Sequence, residues 1–152
     1  MPLLDFLDPR AVLPAMRVNG KKQALQELAS HAAKLTGLEA ADIFEALLQR
    51  ERLGSTGIGE GIAIPHGKLA GLTRIFGLMA RLEKPIEFEA LDGQHVDVLF
   101  LLLAPEGAGA DHLKALSRVA RVLREPGLIE RVRMTRDAAA LYAIMTEFPK
   151  AA

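Results

Sequence analysis

The chain has 152 residues, with 19 Lys and Arg against 19 Asp and Glu and no cysteine. That length fits one domain with a sizeable core, and the missing thiols exclude disulfides, thiolate catalysis and Cys-ligated metal. A formal charge of zero removes the long-range attraction that recruits nucleic acid or anionic lipid, so any recruiting charge has to be local.

The N-terminal stretch MPLLDFLDPR carries acids where a secretory signal needs a basic start, and it lacks an extended apolar segment. Lys21 to Leu35 places Ala24, Leu25, Leu28, Ala29, Ala32 and Leu35 at helical spacing, with a stop expected at Gly37. A second helix is expected over Glu39 to Arg52, with Ile43, Phe44, Leu47 and Leu48 on one side. The following GSTGIGEGIAIPHGK, rich in glycine and broken by Pro65, reads as a shaped surface loop with room for a short strand at Ile62 to Ile64.

Arg74 to Leu82 reads as a strand, and PIEFEALDGQHVD as a connection or short edge strand. Val96 to Leu103 is apolar enough for a central strand covered on both faces. With its flanks it falls short of the roughly 20 residues that span a membrane. Helices are expected over Asp111 to Arg124, Leu128 to Val132 and Asp137 to Phe148. The mixture predicts an α/β fold, a sheet covered by helices, in a soluble cytoplasmic protein.

Chemistry concentrates around His66, held between Pro65 and Gly67. Proline restricts the approach and glycine permits close backbone or phosphate contact, which suits an oriented imidazole whose lone pair can attack phosphorus or accept a proton. Residue types and spacing by themselves favour a structural or generic binding use of His66 over chemistry. Arg50 reads either as an oxygen clamp or as a solvated charge favourable to the helix end. Ser55, Thr56, Gly57 and the amides onward to Gly61 are donors around an anion or simply turn and cap residues. His112 follows Asp111 at a helix start, as a cap or as a second ring near an anion.

His31 and His95 lack such context, and the four histidines do not show metal-ligand spacing. No metal or cofactor is expected. Glu60 with His66, or Asp111 with His112, offers an acid–base pair for a hydrolase, yet no nucleophile elbow accompanies Ser55. The Gly57, Gly59, Gly61 series is not a dinucleotide fingerprint, and the absence of a GxxxxGK[ST] loop argues against ATP use. Scattered aromatics give no base-stacking ladder.

The string LLQRERLGSTGIGEGIAIPHGK, followed by DHLKALSRVARVL, resembles the nitrogen-regulatory subgroup of the fructose/mannitol-type IIA domains of the bacterial phosphotransferase system. The likeness spans nearly the whole chain and rests on the ordered Arg-Glu pair, STG turn and PHG tripeptide. It implies the mixed-sheet IIA fold as one domain over residues 1–150. It also implies a phosphotransferase component whose His66 accepts a phosphoryl group on Nε2 from a nitrogen-branch HPr-like phosphocarrier. Arg50 and His112 are the further catalytic residues it implies, with Ser55, Thr56 and Gly57 in support. Ile58, Ile62 and Leu69 are candidates for an apolar docking patch. Output through a potassium transporter, a sensor kinase or an alarmone synthetase is the regulation it suggests, and surface binding without catalysis is the alternative.

Overall fold

The computed structural model describes residues 2–147. A turn of 3-10 helix at Leu3–Asp5 leads into β1 (Leu7–Met16), followed by α1 (Lys21–Thr36) and α2 (Ala40–Arg52). Three short strands follow, β2 (Gly57–Gly59), β3 (Ile62–Ala63) and β4 (His66–Leu69). The long β5 (Phe76–Ile86) and β6 (Val96–Pro105) complete the sheet, and α3 (Ala110–Leu123), α4 (Leu128–Arg133) and α5 (Ala138–Thr146) finish the described chain.

The sheet is mixed, ordered β1-β5-β6-β3-β2, with β4 also on β6. Its axis is β6, whose residues from Val98 to Ala104 are all buried. Antiparallel β5 covers one edge of β6, pairing Leu78 with Leu101 and Ala80 with Leu99. Parallel β3 and β4 share the other edge end to end, with Ile62 opposite Val98 and His66 opposite Leu102. Between them the Leu102 amide donates to the Pro65 carbonyl at 2.9 Å. Proline has no amide to offer a ladder, so its carbonyl carries the pairing across the jog.

The glycine-rich segment expected as a surface loop is therefore a sheet component, with Gly61 through Pro65 all buried. Apolar Ile62, Ala63 and Ile64 pull it inward, and its short strands accommodate the glycines through turns. The β2–β3 turn includes Glu60 in the left-handed region, φ 59°. β1 escapes pattern reading because Pro9 and Pro14 interrupt it. As an edge strand pairing β5 with irregular register, it tolerates both.

The main helices lie near their expected places. α1 ends at Gly37, φ 78°, whose amide caps the Ala33 carbonyl at 2.9 Å. β5 starts later and runs further than the expected Arg74 to Leu82, so PIEFEALDGQHVD contributes Ile86 to a long strand before a loop. α5 stops at Thr146, and the Phe148 end of the expected helix lies outside the described residues. Its Asp137 carboxylate accepts from the Ala140 amide at 2.9 Å, an N-cap bond.

Candidate functional site

His66 opens β4, and Gly67 after it lets α2 approach. A Cβ on Gly67 would sit 3.3 Å from the Ala46 Cβ. Ala46 and Arg50 lie one helical turn apart on α2, so this close packing brings the Arg50 side chain over the first residue of β4.

The imidazole is half-buried and held at both nitrogens. Nδ1 lies 2.8 Å from the Ile64 carbonyl oxygen, and a carbonyl accepts but cannot donate. Nδ1 therefore carries the hydrogen, and in the neutral ring the lone pair resides on Nε2. The Arg50 Nε–H donates to that Nε2 at 3.2 Å, while Arg50 Nη1 donates to the Gly54 carbonyl at 2.9 Å. Burial holds the His66 pKa below its ordinary 6.5, aided by the Arg50 charge and opposed by the Ile64 bond and Glu51. The ring is neutral at neutral pH, with an oriented nucleophilic nitrogen beneath a cation.

His112, on the first turn of α3, meets His66 edge to face, with ring centroids 5.6 Å apart and planes at 65°. It is not an exposed cap residue: it is 8% exposed, and its Nε2 is buried without a hydrogen-bond partner. Burial lowers its pKa, with the His66 and Lys68 charges acting in the same direction. The helix is capped by the Gly109 backbone, so Asp111 is not the N-cap.

The 55–57 turn directs its donors inward. The Thr56 amide and hydroxyl both donate to the Glu51 carboxylate, at 3.0 and 2.5 Å. Ser55 Oγ donates to the Phe88 carbonyl at 3.2 Å and accepts from the Gly57 amide at 3.1 Å. These bonds fix the loop that carries Gly54, which holds Arg50. Behind it, Lys21 Nζ lies 2.8 Å from the nearly inaccessible Glu51 carboxylate and 5.0 Å from the centre of the Phe88 ring.

Residue patterning assigned no role to the Lys21–Glu51 pair or to Ser117. Glu51 stands in the quoted Arg-Glu pair, but its burial was hidden by the polar face that periodicity gives this part of α2. Ser117, with Leu116 and Ala120, forms the α3 wall of a shallow depression of about 330 Å³, which Arg50, Ser55, Thr56, Ile58, Ile64 and His66 complete. Of the expected apolar patch, Ile58 lines this depression, whereas Ile62 and Leu69 belong to the core. They point inward because β3 and β4 pair with the buried axis of the sheet.

Glu60 bonds through its backbone to Asp92 and Arg133 at the hairpin turn, and the bonds of the His66 ring go to Ile64 and Arg50. This arrangement lacks the carboxylate–imidazole pair of a hydrolase. His31 and His95 lie beside Glu27 and Glu87, at 3.7 and 3.2 Å, apart from this cluster. Among the described residues there is no group of three His, Cys, Asp or Glu able to hold a metal, and no helix long and apolar enough to cross a membrane.

A mixed sheet with its long helices packed about it, and an imidazole presented at the start of a short parallel strand beside an arginine, define a phosphotransferase-system IIA architecture. The family model for the phosphoenolpyruvate-dependent sugar phosphotransferase system, EIIA 2, matches residues 5–148, and the chain belongs to that family. A nitrogen regulatory protein of Bradyrhizobium diazoefficiens is 59% identical over 152 residues, spanning 100% of this chain and 99% of the relative. The crystal structure of nitrogen regulatory protein IIA-Ntr from Neisseria meningitidis superimposes with a TM-score of 0.89 at 36% identity, covering 95% of this chain and 99% of that one. Mannitol IIA of Escherichia coli, 18% identical with a TM-score of 0.77 over 91% of this chain and 97% of its own, shares the fold.

Proposed function

We propose that this protein is a phosphoryl-accepting regulator of the nitrogen branch of the phosphotransferase system, acting in the cytoplasm as one domain over residues 1–150. The reading rests on one observation above the others: the Ile64 carbonyl fixes the His66 tautomer so that Nε2 holds the lone pair, with the Arg50 guanidinium directly over it. A phosphohistidine on an HPr-like carrier is the donor. As the His66 Nε2–P bond forms, the donor's N–P bond breaks and its electron pair returns to the donor ring. In-line approach and charge neutralisation then supply most of the catalysis, without ATP.

Arg50 shifts from Nε2 to the phosphoryl oxygens, where its fork contacts two of them. The Nδ1–H bond to the Ile64 carbonyl stabilises the positive charge that the phosphorylated ring acquires. His112 supplies a partner for a phosphoryl oxygen through its free Nε2, and Ser55, Thr56 and Gly57 hold the Arg50 loop in place. The new charge on His66 changes which surfaces the face accepts, and this alters regulation of a potassium transporter, a sensor kinase or an alarmone synthetase.

The test is transfer from the purified, phosphorylated carrier to wild type and to His66→Ala, under conditions that preserve phosphohistidine. Wild type takes one acid-labile phosphoryl group, mapped to His66 Nε2, and the folded variant takes none. Equal labelling of the two proteins would remove His66 as acceptor. A folded wild type that takes no label leaves regulation by surface binding as the function.

A further inference from the structure

The outer face of α3 carries a chemistry that the His66 chemistry does not use. Leu113, Lys114, Ser117, Arg118 and Arg121 line a second depression, of about 400 Å³. Ser117 also lines the depression around His66, so the two surfaces are continuous. Leu113 is 68% exposed. Among the described residues, Lys114, Arg118 and Arg121 form no ion pair, and Arg118 Nε is buried with no acceptor. Arg124, the next cation along, reaches back to the Ile58 carbonyl at 3.5 Å.

A merely solvated helix face usually interleaves acids one turn from its bases. Asp111 stands three residues before Lys114 and Glu125 four after Arg121, but among the described residues neither pairs with them, and Arg118 at the centre of the face has no acid one turn away on either side. The chain as a whole has a formal charge of zero, so the patch is a local concentration and not a sample of general basicity. Arg121, in the last turn, suits the helix dipole, but that effect fades within one turn and does not explain Lys114 or Arg118.

We propose that this face of α3 is a docking surface for an acidic rim on the phosphocarrier that serves His66. Leu113 sits in an apolar notch of that partner, and Lys114, Arg118 and Arg121 stand opposite its carboxylates. The inference rests on the proposed function in one respect, that a folded donor covers His66. Such a protein buries about 800 Å² on each side, more than the depression around His66 supplies. Because α3 forms one wall of that depression, the footprint extends over its outer face. Unpaired exposed cations beside the acceptor raise the encounter rate with an acidic surface by roughly tenfold or more at low salt. An exposed leucine amid the cations fits a protein partner better than a phosphate backbone.

The experiment measures calorimetric binding of the unphosphorylated carrier to wild type, to K114E/R121E and to K114E/R118E/R121E, at about 0.05 M and 0.3 M salt, where screening differs strongly. The double variant leaves the partly buried Arg118 untouched, and thermal melts verify that each variant is folded. Phosphoramidate, a small donor that needs no docking face, is used in parallel to label His66. Wild-type affinity is expected to fall steeply with salt, and the double variant to bind about tenfold or more weakly with a flatter salt dependence. Phosphoramidate labelling is expected to be equal in all three. Equal affinity of wild type and variants overturns the docking face, as does salt-insensitive or absent wild-type binding, or tighter binding of duplex DNA than of the carrier. Salt-sensitive carrier binding that the variants lose, with His66 labelled by neither donor, supports the docking face and sinks the acceptor chemistry separately.

Discussion

Protonation of His66 competes with two things that the fold provides: removal of the ring from water and an arginine at its lone pair. Both hold its pKa under the ordinary 6.5, burial most, and burial likewise lowers that of His112. In the unfolded chain the two rings protonate near the ordinary value. As pH falls below about 6.5, the unfolded state therefore binds protons that the folded state refuses. The stability held above this pH is lost progressively down to the depressed folded pKa values, below which the curve flattens. Urea midpoints measured from pH 8 to pH 5 are expected to show a plateau and then a decline, shallower in His112→Asn. Identical slopes for variant and wild type would contradict the burial account of His112. The proposed phosphoryl transfer follows the same logic: Nε2 keeps its lone pair at pH values where an ordinary histidine has lost it.

At the scale of elements, the end of α2 and the turn after it act together. Glu51 receives Thr56 from the turn and Lys21 from α1, while Arg50, its neighbour in sequence, faces His66. Removing the charge by Glu51→Gln leaves Lys21 poorly partnered and weakens the bonds to Thr56. A loss of about 2–3 kcal/mol in urea unfolding is expected, since breaking one side of a buried pair costs more than the pair contributes. The proposed transfer to His66 should slow as the Gly54 loop loosens. An unchanged urea midpoint would show that Glu51 does not brace this corner. The helices themselves were legible in the sequence, because Leu25, Leu28 and Leu47 mark their faces at 3.6-residue spacing. The buried Glu51 was not, since an acid on a polar helix stripe looks solvated until the turn beyond it folds back.

For the molecule as a whole, β6 is the element on which the fold and the site both depend. It pairs with β5 along one edge and with β3 and β4 along the other. Leu101→Ala removes a fully buried side chain from it and is expected to cost about 2–5 kcal/mol, lowering the melting temperature in a single cooperative transition. A loss confined to local hydrogen exchange near residue 101 would argue against one cooperative unit. The apolar run from Val98 announced this strand in the sequence, and PHG announced the imidazole. Two features stayed hidden for physical reasons. β1 is interrupted by prolines that an edge position tolerates. The split of the glycine-rich segment into three strands depends on long-range pairing with β6. The approach of His112 to His66 joins residues far apart in the chain, so spacing does not record it, and it is expected only through the resemblance that the DHL stretch carries.

The guanidinium lying across Nε2 of His66 also acts as a sheath. A stray electrophile arriving from solvent finds the lone pair engaged by the Arg50 N–H, and an adventitious divalent ion meets a positive charge before it meets the ring. Under the proposed function, a doubly anionic phosphoryl group is drawn to that same charge and displaces it. The resting protein thus keeps its most reactive atom chemically quiet without closing a lid, and the visitor that uncovers it is the one whose charge the cover attracts.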